Sequence, residues 1–146
     1  MTIRVLLVDD HKLMREGLKS LLAGSADVEV VGEASNGREA LSLVRTIQPD
    51  VVVMDLGMPE LNGIEATRRI RAEHERVRVL ALSTHTDKRY VYHMLDAGAC
   101  GYLLKNSAQD ELVRAIRSAS LGKTYLSPEI AGYVVDRASP GHPPGD

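Results

Sequence analysis

The stretch IRVLLVDD, residues 3–10, is an almost unbroken apolar run that ends on two adjacent aspartates. It is too short for a helix and does not alternate polar with apolar, so it reads as a strand buried on both faces. The same design recurs in VVVMD, residues 51–55, which also ends on an acid. Further apolar runs at 28–31, 77–82 and 102–104 add three more expected strands. Between them lie segments with helical spacing, such as Leu13, Met14, Leu18, Leu21 and Leu22, then Ala40, Leu41, Val44 and Ile47. Asn36 with Glu39, and Ser107 with Asp110, are placed as N-caps in capping-box arrangements. Gly24 and Gly122 stand where helix C-caps belong, and Pro49 and Pro59 fall outside any element interior.

Strand and helix alternating five times is the pattern of a doubly wound α/β fold, an open parallel sheet with helices on both faces and right-handed crossovers. At this length the flavodoxin-like order 2-1-3-4-5 is expected for its five strands. The chain then reverses its winding between the first and third strands. The carboxyl ends of those two strands should border the ligand crevice.

Composition sets the bounds. With 146 residues, 44% of them hydrophobic, the chain suffices for one buried core and a tail. Phe and Trp are absent, so aliphatic side chains must fill that core. A formal charge of -2 offers no field for nucleic acid or an anionic membrane. Cys100 has no second cysteine to pair with, the first residues lack a signal-peptide pattern, and no apolar run could span a bilayer. A cytoplasmic setting is expected. The domain is placed at 1–122. The remainder, 123–146, reads as a linker with one helix at 127–138, with Ser127 as its N-cap and Pro128 in its first turn. A Pro/Gly-rich tail, SPGHPPGD, follows.

Asp9 and Asp10 end the first strand, Asp55 the third, Ser83 the fourth, and the fifth runs into Lys105, so all five polar groups meet at one sheet edge. Three carboxylates there resist ionisation unless a cation offsets them. An oxygen-only donor set suits Mg²⁺, with Asp10 and Asp55 as ligands, the Gly57 carbonyl as a third, and Asp9 acting through water. A carboxylate can be phosphorylated as an acyl phosphate. The metal and Lys105 would then neutralise the phosphoryl charge while Ser83 donates a hydrogen bond. His11, His74, His85, His93 and His142 show no convergent spacing, so no zinc site is expected.

VLLVDDH, VVVMDLGMPELNGIEATRRIR, LALSTH and GACGYLLK, in this order and spacing, resemble the receiver domains of response regulators from about Thr2 to Gly122. The resemblance implies that Asp9 and Asp10 are the acidic metal residues, Asp55 the phosphorylated residue, Ser83 the switch hydroxyl, Lys105 the phosphoryl-binding lysine and Tyr102 the switch aromatic. A sensor histidine kinase would be the phosphoryl donor and homodimerisation the response. Gly57 and His85, each two residues beyond a site residue, are candidates for setting the phosphoryl lifetime. DDHKLMREGL and GKTYLSPEIA are similar to the subfamily that carries a LuxR-type helix-turn-helix. No second helical block with a basic face follows in this sequence, so DNA binding is expected only through a longer parent.

Other functions fit less well. A haloacid-dehalogenase-type hydrolase places D-x-D after its first strand, where this chain has DDH. A flavodoxin proper needs a phosphate loop there, and Asp9 and Asp10 would repel its anion. The remaining alternative is a phosphorylation-independent receiver acting only as an interaction module, against which the complete acidic set argues. No turnover enzyme is expected, only slow self-dephosphorylation.

Overall fold

A computed structural model describes residues 2–57, 62–84 and 86–138. The strands are β1 (Ile3–Val8), β2 (Val28–Ala34), β3 (Val51–Asp55), β4 (Arg78–Ser83), β5 (Gly101–Leu104) and β6 (Tyr125–Leu126). The helices are α1 (Lys12–Ala23), α2 (Gly37–Ile47), α3 (Gly63–Glu73), α4 (Lys88–Asp96), α5 (Ala108–Ser120) and α6 (Pro128–Ala138). All strand pairs are parallel, in the order β2-β1-β3-β4-β5-β6. The doubly wound order expected for the first five strands is present, and a sixth strand extends the sheet beyond β5. Its two residues make no apolar run. Their pairing comes from backbone hydrogen bonds, Tyr125 N to Cys100 O at 3.1 Å and Ser127 N to Tyr102 O at 3.0 Å.

Side chains of β1, β3, β4 and β5 alternate between two cores, which explains why the inner strands are apolar throughout. Leu6, Val8, Val52, Met54, Val79, Ala81, Tyr102 and Leu104 face α2, α3, α4 and α6. Val5, Leu7, Val51, Val53, Leu80, Leu82 and Leu103 face α1 and α5. β2 runs past the expected 28–31 to Ala34 because an edge strand is buried on fewer sides, and a register shift opposite Val5/Leu6 carries the pairing on through Gly32 and Glu33.

Asn36 caps α2 as expected, its Oδ1 accepting the Glu39 amide at 2.9 Å. The Glu39 carboxylate reaches back to the Ser35 hydroxyl and amide, one residue earlier than a capping box requires. Ser107 makes no side-chain cap. Lys105–Ser107 form a 3-10 turn that runs straight into α5, and the Lys105 carbonyl accepts the Ala108 amide that a cap would otherwise serve. Gln48, in the left-handed region at φ 55°, closes α2 ahead of Pro49. Among the described residues, no helix is long and apolar enough to cross a membrane. Pro59 and the tail from 139 lie outside the described residues.

Candidate metal and phosphoryl site

The parallel sheet carries the chain out of β1, β3 and β4 at the same edge, so Asp9, Asp55 and Ser83 arrive together. Each is buried, at 1%, 5% and 1% exposure. Asp10, half-buried, lies beside them. The Lys105 ammonium enters from the end of β5 and sits 3.2 Å from Asp55 Oδ1 and 3.4 Å from Asp9 Oδ2. The Gly57 amide donates to Asp55 Oδ1 at 3.3 Å. Gly63 opens α3 directly against the Asp55 backbone, where a Cβ would run into the Asp55 carbonyl oxygen. Only glycine lets that helix begin there.

Burial, and then the nearby Asp9, push the Asp55 carboxyl above the ordinary carboxylate range, with Lys105 acting against them. Burial alone would lower Lys105, but Asp55 and Asp9 overcome it and raise its pKa, so the ammonium stays charged. Tyr102 lies wholly inside the core, hydrogen-bonded to Ser83, and burial raises its phenol.

The structure brings together all five residues expected at this edge and adds His11, which sequence spacing did not single out. Ligand atoms of Asp9, Asp10, His11 and Asp55 lie within 4.8 Å of one another. Asp9 Oδ2 and Asp10 Oδ1 are buried and accept no hydrogen bond, although Lys105 and His11 lie within ion-pair distance of them. Buried carboxylate oxygens left without donors, beside a third carboxylate, suit a divalent cation. The site could hold a metal ion. Arg15 was also missed, because its role is tertiary. It donates to the Asp9 carbonyl at 2.5 Å and to Glu33 at 3.0 Å, which braces the β1–α1 loop against β2. His85 lies outside the described residues. A hollow of about 630 Å³ opens at the opposite sheet edge, but its Asp27 is already held by Arg117 and its Asp50 by the Arg4 amide.

A doubly wound sheet with a buried aspartate, paired acids and a lysine at one edge defines a response-regulator type of domain. Residues 5–117 match the response regulator receiver domain family, and the chain belongs to it. It is 43% identical over 133 residues to the transcriptional regulatory protein DegU of Brevibacillus brevis, covering 91% of this chain and 56% of that protein. It is 44% identical to LiaR of Bacillus subtilis (strain 168), covering 92% of this chain and 64% of LiaR. The chain therefore spans less than two thirds of the length of these relatives. A LuxR-family two-component response regulator from Aurantimonas sp. SI85-9A1 superposes with a TM-score of 0.89 at 40% identity, covering 94% of this chain and 98% of that one. The receiver domain of the putative response regulator NarL from Mycobacterium tuberculosis gives 0.80 at 39% identity, covering 84% and 98%. The chain is thus a two-component receiver domain related to transcriptional regulators.

Proposed function

We propose that Asp55 accepts a phosphoryl group from the phosphohistidine of a sensor histidine kinase and that the resulting acyl phosphate switches the domain. The observation that carries this reading is the Asp55 carboxylate, buried yet held between the Lys105 ammonium and the Gly57 amide, beside two acids with unserved oxygens. An Asp55 oxygen attacks phosphorus as the phosphorus–nitrogen bond of the phosphohistidine breaks, and the released imidazole takes up a proton. Lys105 meets the charge on the phosphoryl oxygens, and the Ser83 hydroxyl donates to one of them. Asp10, Asp55 and the Gly57 carbonyl would hold Mg²⁺, with Asp9 acting through water. When bound, the ion supplies charge neutralisation at the transferring group.

Tyr102 follows Ser83, to which it is hydrogen-bonded, and so relays its movement to the β5 surface. The domain, 1–122, would act in the cytoplasm and dimerise on phosphorylation. The segment 123–146 would lead on to a DNA-binding output in a longer parent, which makes control of transcription the end point. Turnover is limited to slow self-dephosphorylation. Gly57 and His85 would set its rate. A Cβ at Gly57 meets nothing within 4 Å, so Gly57→Asn should fold normally. Dephosphorylation rates of Gly57→Asn and His85→Glu should differ from wild type by more than about twofold, roughly 0.5 kcal/mol of barrier.

Incubation with acetyl phosphate and Mg²⁺ should add the mass of one phosphoryl group to the wild type and nothing to Asp55→Asn. If the wild type stays unlabelled under conditions that label a control receiver, a phosphorylation-independent interaction module is the correct reading.

A further inference from the structure

We propose that the His11 imidazole is itself a ligand of the ion held by Asp9, Asp10 and Asp55, so that this centre favours a transition-series divalent cation over Mg²⁺. The inference deepens the phospho-acceptor reading and rests on its metal site.

His11 Nδ1 lies 3.0 Å from Asp10 Oδ1 and 3.2 Å from Asp9 Oδ1. Ligand atoms about 2.1 Å from an ion and at right angles to each other stand about 3.0 Å apart, so this spacing is that of neighbouring corners of an octahedron. The two approaches differ in kind. Nδ1 and Asp9 Oδ1 form a hydrogen bond, whereas Asp10 Oδ1 accepts none despite the shorter distance. Asp10 Oδ1 therefore keeps its acceptor capacity, and an ion seated beside it would replace the Nδ1–Asp9 hydrogen bond. Asp9, almost fully buried, contributes a second oxygen, Oδ2, that also accepts no hydrogen bond.

Local backbone places His11 beside the acids. The His11 amide donates to Asp9 Oδ1 at 2.9 Å. His11 occupies the N-cap position of α1 in extended conformation but makes no side-chain cap, so the imidazole is not committed to the helix. Its side chain is 70% exposed, which lets the ring turn with little resistance. Mg²⁺ takes oxygen ligands almost exclusively, whereas imidazole nitrogen favours the later divalent ions. One nitrogen among three carboxylates shifts selectivity without excluding Mg²⁺.

Mn²⁺ as a paramagnetic reporter and Ni²⁺ as an imidazole-preferring competitor separate these cases on the full chain. Pulsed electron paramagnetic resonance of bound Mn²⁺ should show hyperfine coupling to an imidazole nitrogen in the wild type, and none in His11→Ala. Competition between Ni²⁺ and Mg²⁺ should show their affinity ratio fall by about tenfold in His11→Ala, the loss of one well-placed ligand. Mn²⁺ bound without nitrogen coupling, together with a Ni²⁺-to-Mg²⁺ ratio unchanged in His11→Ala, would overturn the inference and leave the oxygen-only Mg²⁺ site standing. Binding of all three ions that is unaffected by Asp10→Asn would overturn the metal site as well.

Discussion

At Asp55 two influences raise the carboxyl's pKa, burial first and Asp9 second, while Lys105 and the Gly57 amide act against them. The folded value lies above the unfolded one, so ionised Asp55 works against folding. That cost is absent below the ordinary carboxylate pKa and present in full above the raised value. In EDTA at neutral pH, Asp55→Asn should therefore melt a few degrees above wild type. The gap should narrow as pH falls through the carboxylate range, because the wild type then loses its buried charge. Calorimetry across that range checks both points, and a wild type more stable than the variant at neutral pH would contradict them. A divalent ion should favour the wild type selectively, since the ion binds only the folded acidic cluster. Asp9, Asp10, Asp55, Ser83 and Lys105 were all legible in the sequence because the side chain leaving a parallel strand's carboxyl end has its position fixed by topology. His11 was not, although it adjoins Asp10, because its ring direction depends on how the chain turns into α1. Arg15 was not, because its acceptors, the Asp9 carbonyl in the β1–α1 loop and Glu33 on β2, are brought together only by the fold.

Elements were legible to the extent that burial shaped their composition. β1, β3 and β4 are covered on both faces and read as apolar runs. β6 is two residues long and half-exposed, and it exists because β5 offers a free edge that 125–126 can pair with. Gly101 makes that pairing possible. A Cβ there would collide with the Tyr125 carbonyl oxygen and would stand 2.7 Å from the Leu80 side chain. Tyr125 is a backbone neighbour and has nowhere to yield except by leaving the sheet. Gly101→Ala should cost about 1–3 kcal/mol, the range for forcing atoms into a filled site. The loss should concentrate in β6: the Tyr125 and Ser127 amides, which bond to Cys100 and Tyr102, should exchange with solvent faster than those of β3. Uniform acceleration across all strands in hydrogen exchange would show instead that Gly101 matters only to the core. The caps divide in the same way. Asn36 was legible because a cap bond is local, whereas the 3-10 turn that makes Ser107 unnecessary arises where β5 runs directly into α5.

For the whole molecule, the segment after Gly122 is joined to the site by a short chain of bonds. Ser127 accepts the Leu104 amide at 3.2 Å through its hydroxyl, immediately before the lysine that contacts Asp55. Ile130 is fully buried in the core on the α4 side, Tyr92 donates to the Tyr133 carbonyl at 2.9 Å, and the Lys88 ammonium lies 5.4 Å from the centre of the Tyr133 ring. The stretch from 125 to 133 thus packs on the core it follows, although composition alone places it outside. Its apolar face is modest and its strand is too short to register as one. Ile130→Ala should cost about 2–4 kcal/mol, as for other fully buried aliphatic truncations. Truncation after Gly122 should cost more, because it also exposes the Tyr92 surface and the β5 edge. The bonds that form the site, Lys105 to Asp55 and Gly57 to Asp55, all lie within 1–122. The shortened chain should therefore still take up one phosphoryl group from acetyl phosphate at a temperature where it remains folded, while its urea midpoint drops. Loss of labelling in a folded 1–122 fragment would mean that Ser127 positions Lys105 through Leu104, and that the functional boundary lies beyond Ser127.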